Sequence, residues 1–224
     1  MNSARAGCIT ALLILSPQLG STQDLTRYRD YALESSLGSV IAASRARVAD
    51  VKTLHERPAK IQELEWRAPY ASSTDPVADP VRGIVFAFCD DALYQLVVTY
   101  DRDRTKGLTD GEIIESLNAL YGDPVLRSAR NRPPAALPDA VVLAQWDSAA
   151  SSLTLLRDAY SMEFRLVLVS KALSTRARNA IRDAARLDAL EAPRRELEAR
   201  KKEIADAADA RDKIRTTNKG AFRP

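Results

Sequence analysis

Between residues 81 and 122 the apolar and polar positions follow one another in a pattern that predicts a hairpin and then a helix. Two runs rich in Val, Ile, Leu, Phe and Tyr, 81–89 and about 93–100, flank the polar break Asp90-Asp91, the signature of antiparallel strands joined by a short turn. In the first run Arg82, Ile84, Phe86 and Phe88 fall on one side and Gly83, Val85, Ala87 and Cys89 on the other. Both faces are largely apolar, which predicts a central strand. A helix over 110–121 follows, with Ile113, Ile114, Leu117 and Leu120 as its buried stripe and Gly122 and Pro124 as its stop.

The flanking segments extend this pattern. Upstream, 28–33 reads as an extended piece, and a helix capped by Ser35 or Ser36 places Leu37, Val40 and Ile41 at the spacing of one helix face. Short strands at 51–57 and 61–66 around Pro58-Ala59 predict a first hairpin, and 70–80, with its serines and prolines, predicts a loop. Downstream, the Pro- and Arg-rich stretch 127–138 is a connector, and strands are expected at 140–146, 152–157 and 164–170, the short links favouring antiparallel neighbours. The fold class is α+β: an antiparallel sheet of about seven strands with two covering helices and a long charged C-terminal helix. No internal repeat is visible.

From Leu173 onward Ala, Arg, Glu and Asp dominate. Leu173, Ala177, Ile181, Ala184 and Leu187 recur at helical spacing, so this part is expected to pack on the body, and Pro193 is expected to break or kink the helix. Leu190, Leu197 and Ile204 lie seven apart, but Arg194 and Lys201 sit at neighbouring heptad positions, against a self-sufficient coiled coil. The organisation expected is a signal peptide at 1–21, a body at 22–172, a charged helical arm at 173–215 broken near Pro193, and a disordered tail at 216–224.

The chain has 224 residues, 46% of them apolar, enough for one substantial core. Arg5, the apolar run from Cys8 to Leu15, Pro17 and the small residues Gly20 and Ser21 are arranged as in a secretory signal peptide. The run is too short to span a bilayer. The expected location is therefore periplasmic or extracellular, with no transmembrane segment in the mature chain. Cys8 stands at the start of the apolar run instead of following it, the wrong order for a lipid anchor, and removal of residues 1–21 would leave Cys89 alone, with no intrachain disulfide.

Charge is uneven. Residues 22–170 hold 17 Lys and Arg against 21 Asp and Glu, whereas 171–224 hold 15 against 9. A basic arm of this kind attracts an acidic partner or an anionic surface. Its candidate contacts are Arg194, Arg195, Arg200, Lys201 and Lys202, interleaved with Glu191, Glu196, Glu198 and Glu203 as on a solvated helix. Export removes nucleic acid from consideration.

The stretch from Asp101 to Glu112 carries candidate chemistry. Asp101, Asp103, Thr105, Thr109 and Glu112 stand at oxygen-ligand positions of a calcium loop, with Leu108 at its apolar position. However, Lys106 occupies the glycine position, Gly107 comes one place late, and a strand leads in. Thr109 and Glu112 also form the pattern of a capping box, with Asp110 favourable at the helix start. Calcium is the only cofactor these residues could imply.

Catalytic signals are sparse. There is one histidine, His55, and no Gly-x-Ser-x-Gly, phosphate-binding glycine loop or Cys-x-x-Cys. A Cys89–His55 dyad or an acid pair drawn from Glu63, Glu65, Asp90, Asp91 and Asp147 are the enzymatic alternatives. Trp66, Tyr70, Tyr94, Tyr100, Trp146 and Tyr160 lie on or near strands, as core or as a binding face.

The run FAFCDDALYQLVVTYD followed by GLTDGEIIESLNALYG resembles a pattern in exported bacterial proteins of unknown function, over about forty residues. The helix-then-hairpin architecture has a looser likeness to small bacterial envelope domains that bind other proteins. The resemblance carries no activity. The expected function is a non-enzymatic envelope protein that binds a protein or surface; the alternative is an envelope hydrolase using paired carboxylates.

Overall fold

The computed structural model describes residues 24–68, 79–125, 139–221 and 223. The signal-like segment 1–21, most of the loop at 70–80 and the connector at 127–138 lie outside the described residues.

A small hairpin of β1 (Arg27–Tyr28) and β2 (Tyr31–Ala32) leads to α1 (Leu37–Ser44). Strands β3 (Val51–His55), β4 (Ile61–Arg67), β5 (Val81–Cys89) and β6 (Ala92–Tyr100) follow as a meander, then α2 (Asp110–Tyr121). A second meander of β7 (Ala140–Asp147), β8 (Ser151–Asp158) and β9 (Phe164–Ser170) runs directly into α3 (Lys171–Ala221). The seven-stranded sheet has the order β3-β4-β5-β6-β9-β8-β7, antiparallel at every step. The protein is α+β.

This order contains a repeat of topology that the sequence does not display. Each unit is a helix followed by a meander, α1 with β3–β6 and α2 with β7–β9, and the two meanders meet through their last strands, β6 and β9. Val40 of α1 and Leu117 and Tyr121 of α2 enter the same core, so both helices cover one face.

The central hairpin forms as its alternation demands. Asp90 and Asp91 adopt φ of 48° and 68°, the left-handed pair that a two-residue turn between twisted strands needs and that Asp tolerates. Ile84, Phe86 and Phe88 lie under the two helices with Leu96, Val98, Leu166 and Leu168. On the opposite face Cys89 and Ile61 pack against Ala177 and Ala180 of α3. At Gly83 the backbones of β4 and β5 approach closely: a Cβ there would stand 3.0 Å from the Trp66 carbonyl oxygen.

The helix caps are those the sequence announces. Ser36 Oγ accepts the Ser39 amide, and Gly122 closes α2. Several expectations change. The extended piece at 28–33 is folded into the β1–β2 hairpin, with Arg29 in the left-handed region. Leu120 is 69% exposed and Tyr121 takes the core position in its place. Both fit helical periodicity, but only Tyr121 reaches the ring of Trp146 and donates its hydroxyl to the Arg27 carbonyl. Pro193 does not break the arm: α3 runs through it, and residues 216–221, expected to be disordered, are helical. A proline removes one backbone donor, and where the helix faces water the freed carbonyl is hydrated, so the strong helix formers on both sides prevail.

Candidate partner-binding surface

α3 starts at Lys171 with no loop after β9 and is tied to the body along its first turns. Lys171 donates to Asp147 Oδ2 at 2.8 Å and to the Ser148 carbonyl, Arg176 pairs with Asp90, and Ala177, Ala180 and Ala184 are buried. Small side chains let the helix lie close to the sheet. The outermost tether is an ion pair from Arg57, beside the β3–β4 link, to Glu191. Hydrogen bonds from Arg57 and then Arg195 hold the Glu191 carboxyl down at about 2.

Beyond this tether the helix leaves the body. Every residue from Pro193 to Ala221 is exposed, an arm roughly 43 Å long at 1.5 Å per residue. Leu190, Leu197, Ile204 and Ile214 are each more than 60% exposed.

The five basic candidates do not act as one cluster. Arg194 pairs with Glu198 at 3.0 Å, and Arg195 with Glu191 and Asp188. Arg200, Lys201 and Lys202 make no ion pair with a described residue. At 3.6 residues per turn Arg200 and Lys201 flank the line of Leu197 and Ile204, whereas Arg195 and Lys202 fall on the opposite side.

Four of the five candidate calcium ligands, Asp101, Thr105, Thr109 and Glu112, hydrogen-bond to the backbone. Asp101 Oδ1 accepts the amides of Asp103 and Arg104 at 2.8 and 3.1 Å, and the Thr105 hydroxyl donates to the Asp101 carbonyl. Glu112 accepts the Thr109 amide at 2.7 Å, and Thr109 Oγ1 accepts the Glu112 amide at 3.3 Å, a complete capping box. The hydrogen bonds that its carboxylate accepts from the Thr109 amide and then from the Thr109 hydroxyl hold Glu112 below its usual range. Gly107 stands where φ is 90°, so the glycine placed late for a calcium loop is in register for this turn. Among the described residues no group of three or more His, Cys, Asp or Glu side chains is gathered as a metal site requires.

The same loop borders a cavity of about 560 Å³ shared with the β8–β9 turn, lined among others by Arg102, Lys106, Arg157 and Met162. A pairing across the chain orders its rim, where Arg157 donates to Asp110 at 2.5 Å, and in the adjoining cavity Arg82 pairs with the nearly buried Glu163. No spacing along the sequence announces these partners, which are brought together only by the sheet order.

Catalytic candidates are dispersed. Ile61 stands between His55 and Cys89 in the sheet register, pairing with each, which sets them two strand spacings, about 10 Å, apart and beyond hydrogen-bond reach. Burial pushes the Cys89 thiol up, and the side chain is only 1% exposed. Asp90 pairs with Arg176, Asp147 with Lys171 and Glu65 with Arg67, while Asp91 accepts the Leu37 amide. Glu63 lies beside Glu65 on one face of β4, while Asp90 and Asp91 lie in the β5–β6 turn and Asp147 at the far edge of the sheet.

Among the described residues the aromatic side chains form no exposed face. Trp146 is buried and donates its ring N–H to the Gly122 carbonyl at 2.6 Å, and Trp66, Tyr94 and Tyr100 are half-buried. Tyr160 is 83% exposed at the β8–β9 turn, and Tyr70 lies outside the described residues. Among the described residues no helix is long and apolar enough to cross a membrane. No protein-family model, no curated protein and no solved structure matches this chain.

Proposed function

We propose that this chain is an exported, non-enzymatic binding protein of the bacterial cell envelope, with the α+β body as its platform and the distal part of α3 as the element that meets a partner. The observation that carries this reading is the arm itself. A helix anchored over its first turns and then exposed from Pro193 to Ala221, with Leu190, Leu197 and Ile204 facing water, is organised to present a surface away from its own core. Export is supported by the order of charge, apolar run and small residues within 1–21.

Crosslinking in the native envelope followed by affinity capture tests the role of the arm, comparing the full chain with one ending at Leu190. A partner captured by the full chain alone is the expected result. Equal capture by both forms would move the binding surface to the body. N-terminal sequencing of the protein recovered from the envelope tests export, with a start near residue 22 expected.

A further inference from the structure

Charge along the arm is sorted by side. At 3.6 residues per turn, Leu190, Leu197 and Ile204 recur on one side of α3. The charged side chains that share this third of the circumference, from Arg186 to Arg215, are basic but for one: Arg186, Arg194, Arg200, Lys201, Arg211 and Arg215 stand there with Asp212, which pairs with Arg215 at 3.4 Å. The opposite third is mixed, with Asp188, Glu191, Glu203, Asp206 and Asp209 beside Arg195, Lys202 and Lys213. The helix thus has one apolar and predominantly basic side, and all but one of the carboxylates between Arg186 and Arg215 lie away from it.

The width of the apolar line decides what fits it. A helix that lies in a membrane surface needs a broad apolar face, with residues at i, i+3, i+4 and i+7. Here the large aliphatic positions recur every seven residues only, a seam one side chain wide. A seven-residue repeat is the spacing at which one helix follows another. A second copy of the chain fits poorly. The position three residues after each of Leu190 and Leu197 holds Pro193 and Arg200, so a parallel pair would bury arginine against arginine. An antiparallel pair with its axis midway between them would bring Arg194 of one copy against Lys201 of the other. Like charges across such a seam oppose association.

We propose that this side of α3 docks an acidic α-helix of another protein, its apolar residues filling the seam between Leu190 and Ile204 and its carboxylates facing Arg200, Lys201 and Arg211. The inference rests on the arm being the binding element and adds the chemical class of the partner. Arg200 and Lys201, which make no ion pair with a described residue, are the principal contacts. Burying a cation beside an apolar seam is favourable only when a carboxylate meets it.

The probe is a synthetic 28-residue peptide with leucine at the two seam positions of each heptad and glutamate on both flanks, added to the full chain and followed by fluorescence anisotropy and far-ultraviolet circular dichroism. Saturable binding with a gain of helix is expected, weakened by at least tenfold in the R200E/K201E variant and in L197D. Arg200, Lys201 and Leu197 are all exposed, and an unchanged melting temperature of the body verifies that the variants are folded. No binding, or binding that the variants leave unaltered, would overturn the acidic-helix inference. Sedimentation with vesicles of 30% phosphatidylglycerol in preference to the peptide would overturn it in favour of a lipid surface, and a concentration-dependent dimer by light scattering would overturn it in favour of a second copy. Envelope capture separates this from the broader reading. Capture lost at Leu190 but unchanged in R200E/K201E keeps the arm and removes the acidic helix, whereas capture unchanged at Leu190 removes both.

Discussion

Asp90 and Lys60 hold each other twice: the Lys60 amide donates to Asp90 Oδ1 at 2.8 Å, and the Asp90 amide donates to the Lys60 carbonyl at 2.9 Å. The second carboxylate oxygen of Asp90 takes Arg176. One side chain thereby joins the β3–β4 link, the β5–β6 turn and the first turns of α3, where the sheet and the arm are connected.

Replacing Asp90 with alanine should therefore destabilise the body by about 2–3 kcal/mol, combining a lost charged hydrogen bond with a left-handed backbone that alanine resists. The exposed pair with Arg176 adds little. Asp90→Asn, which keeps an acceptor and tolerates the turn, should cost under about 1 kcal/mol. Urea midpoints of the two variants give the comparison, and equal losses would remove the bridging role of the carboxylate.

The capping box of α2 is tested at Thr109. Alanine there should lower stability by about 1 kcal/mol, whereas serine should be nearly neutral. Adding calcium should leave the melting temperature where it is. A calcium-dependent rise would return Asp101, Asp103, Thr105, Thr109 and Glu112 to service as ligands.

Tyr28 of β1 lies together with Tyr100 and Tyr121, the Tyr28 and Tyr100 hydroxyls 3.5 Å apart and the Tyr121 hydroxyl on the Arg27 carbonyl. Burial raises all three, Tyr121 to about 12. Because the folded values lie above the unfolded value of about 10, their contribution is complete below pH 10 and is lost as pH rises through the folded values. The denaturation midpoint should hold steady from pH 7 to 9 and fall beyond 10. Tyr121→Phe should shallow that fall, and a fall unchanged in this variant would exclude Tyr121 as its source.

Pro193 is an exposed position within a continuous helix. Pro193→Ala should increase protection of the amides around residues 189–196 in hydrogen exchange and strengthen the helical signal, since interior proline is disfavoured by about 3 kcal/mol relative to alanine. The melting temperature of the body should not move. Loss of helical signal in the variant would contradict the path of the arm.

The elements were legible in the sequence because each depends on neighbours a few positions away. Alternating apolar residues define β5 and β6, the Asp90-Asp91 pair defines their turn, and Ser36, Thr109, Glu112 and Gly122 mark the helix ends through bonds that span four residues or fewer. Local pattern could not say that β6 lies beside β9, that α1 and α2 begin two units of one topology, or that Tyr121 and not Leu120 enters the core. Those outcomes depend on which distant surfaces bury each other, and helical periodicity allows both Leu120 and Tyr121. The candidate surface divides in the same way. Its basic residues were visible as a run, but their sorting onto two sides follows from the helix continuing through Pro193, and the exposure of Arg200, Lys201 and Lys202 follows from the body ending at the Arg57–Glu191 pair. Short-range backbone bonding determines the first set, and burial between residues far apart in the chain decides the second.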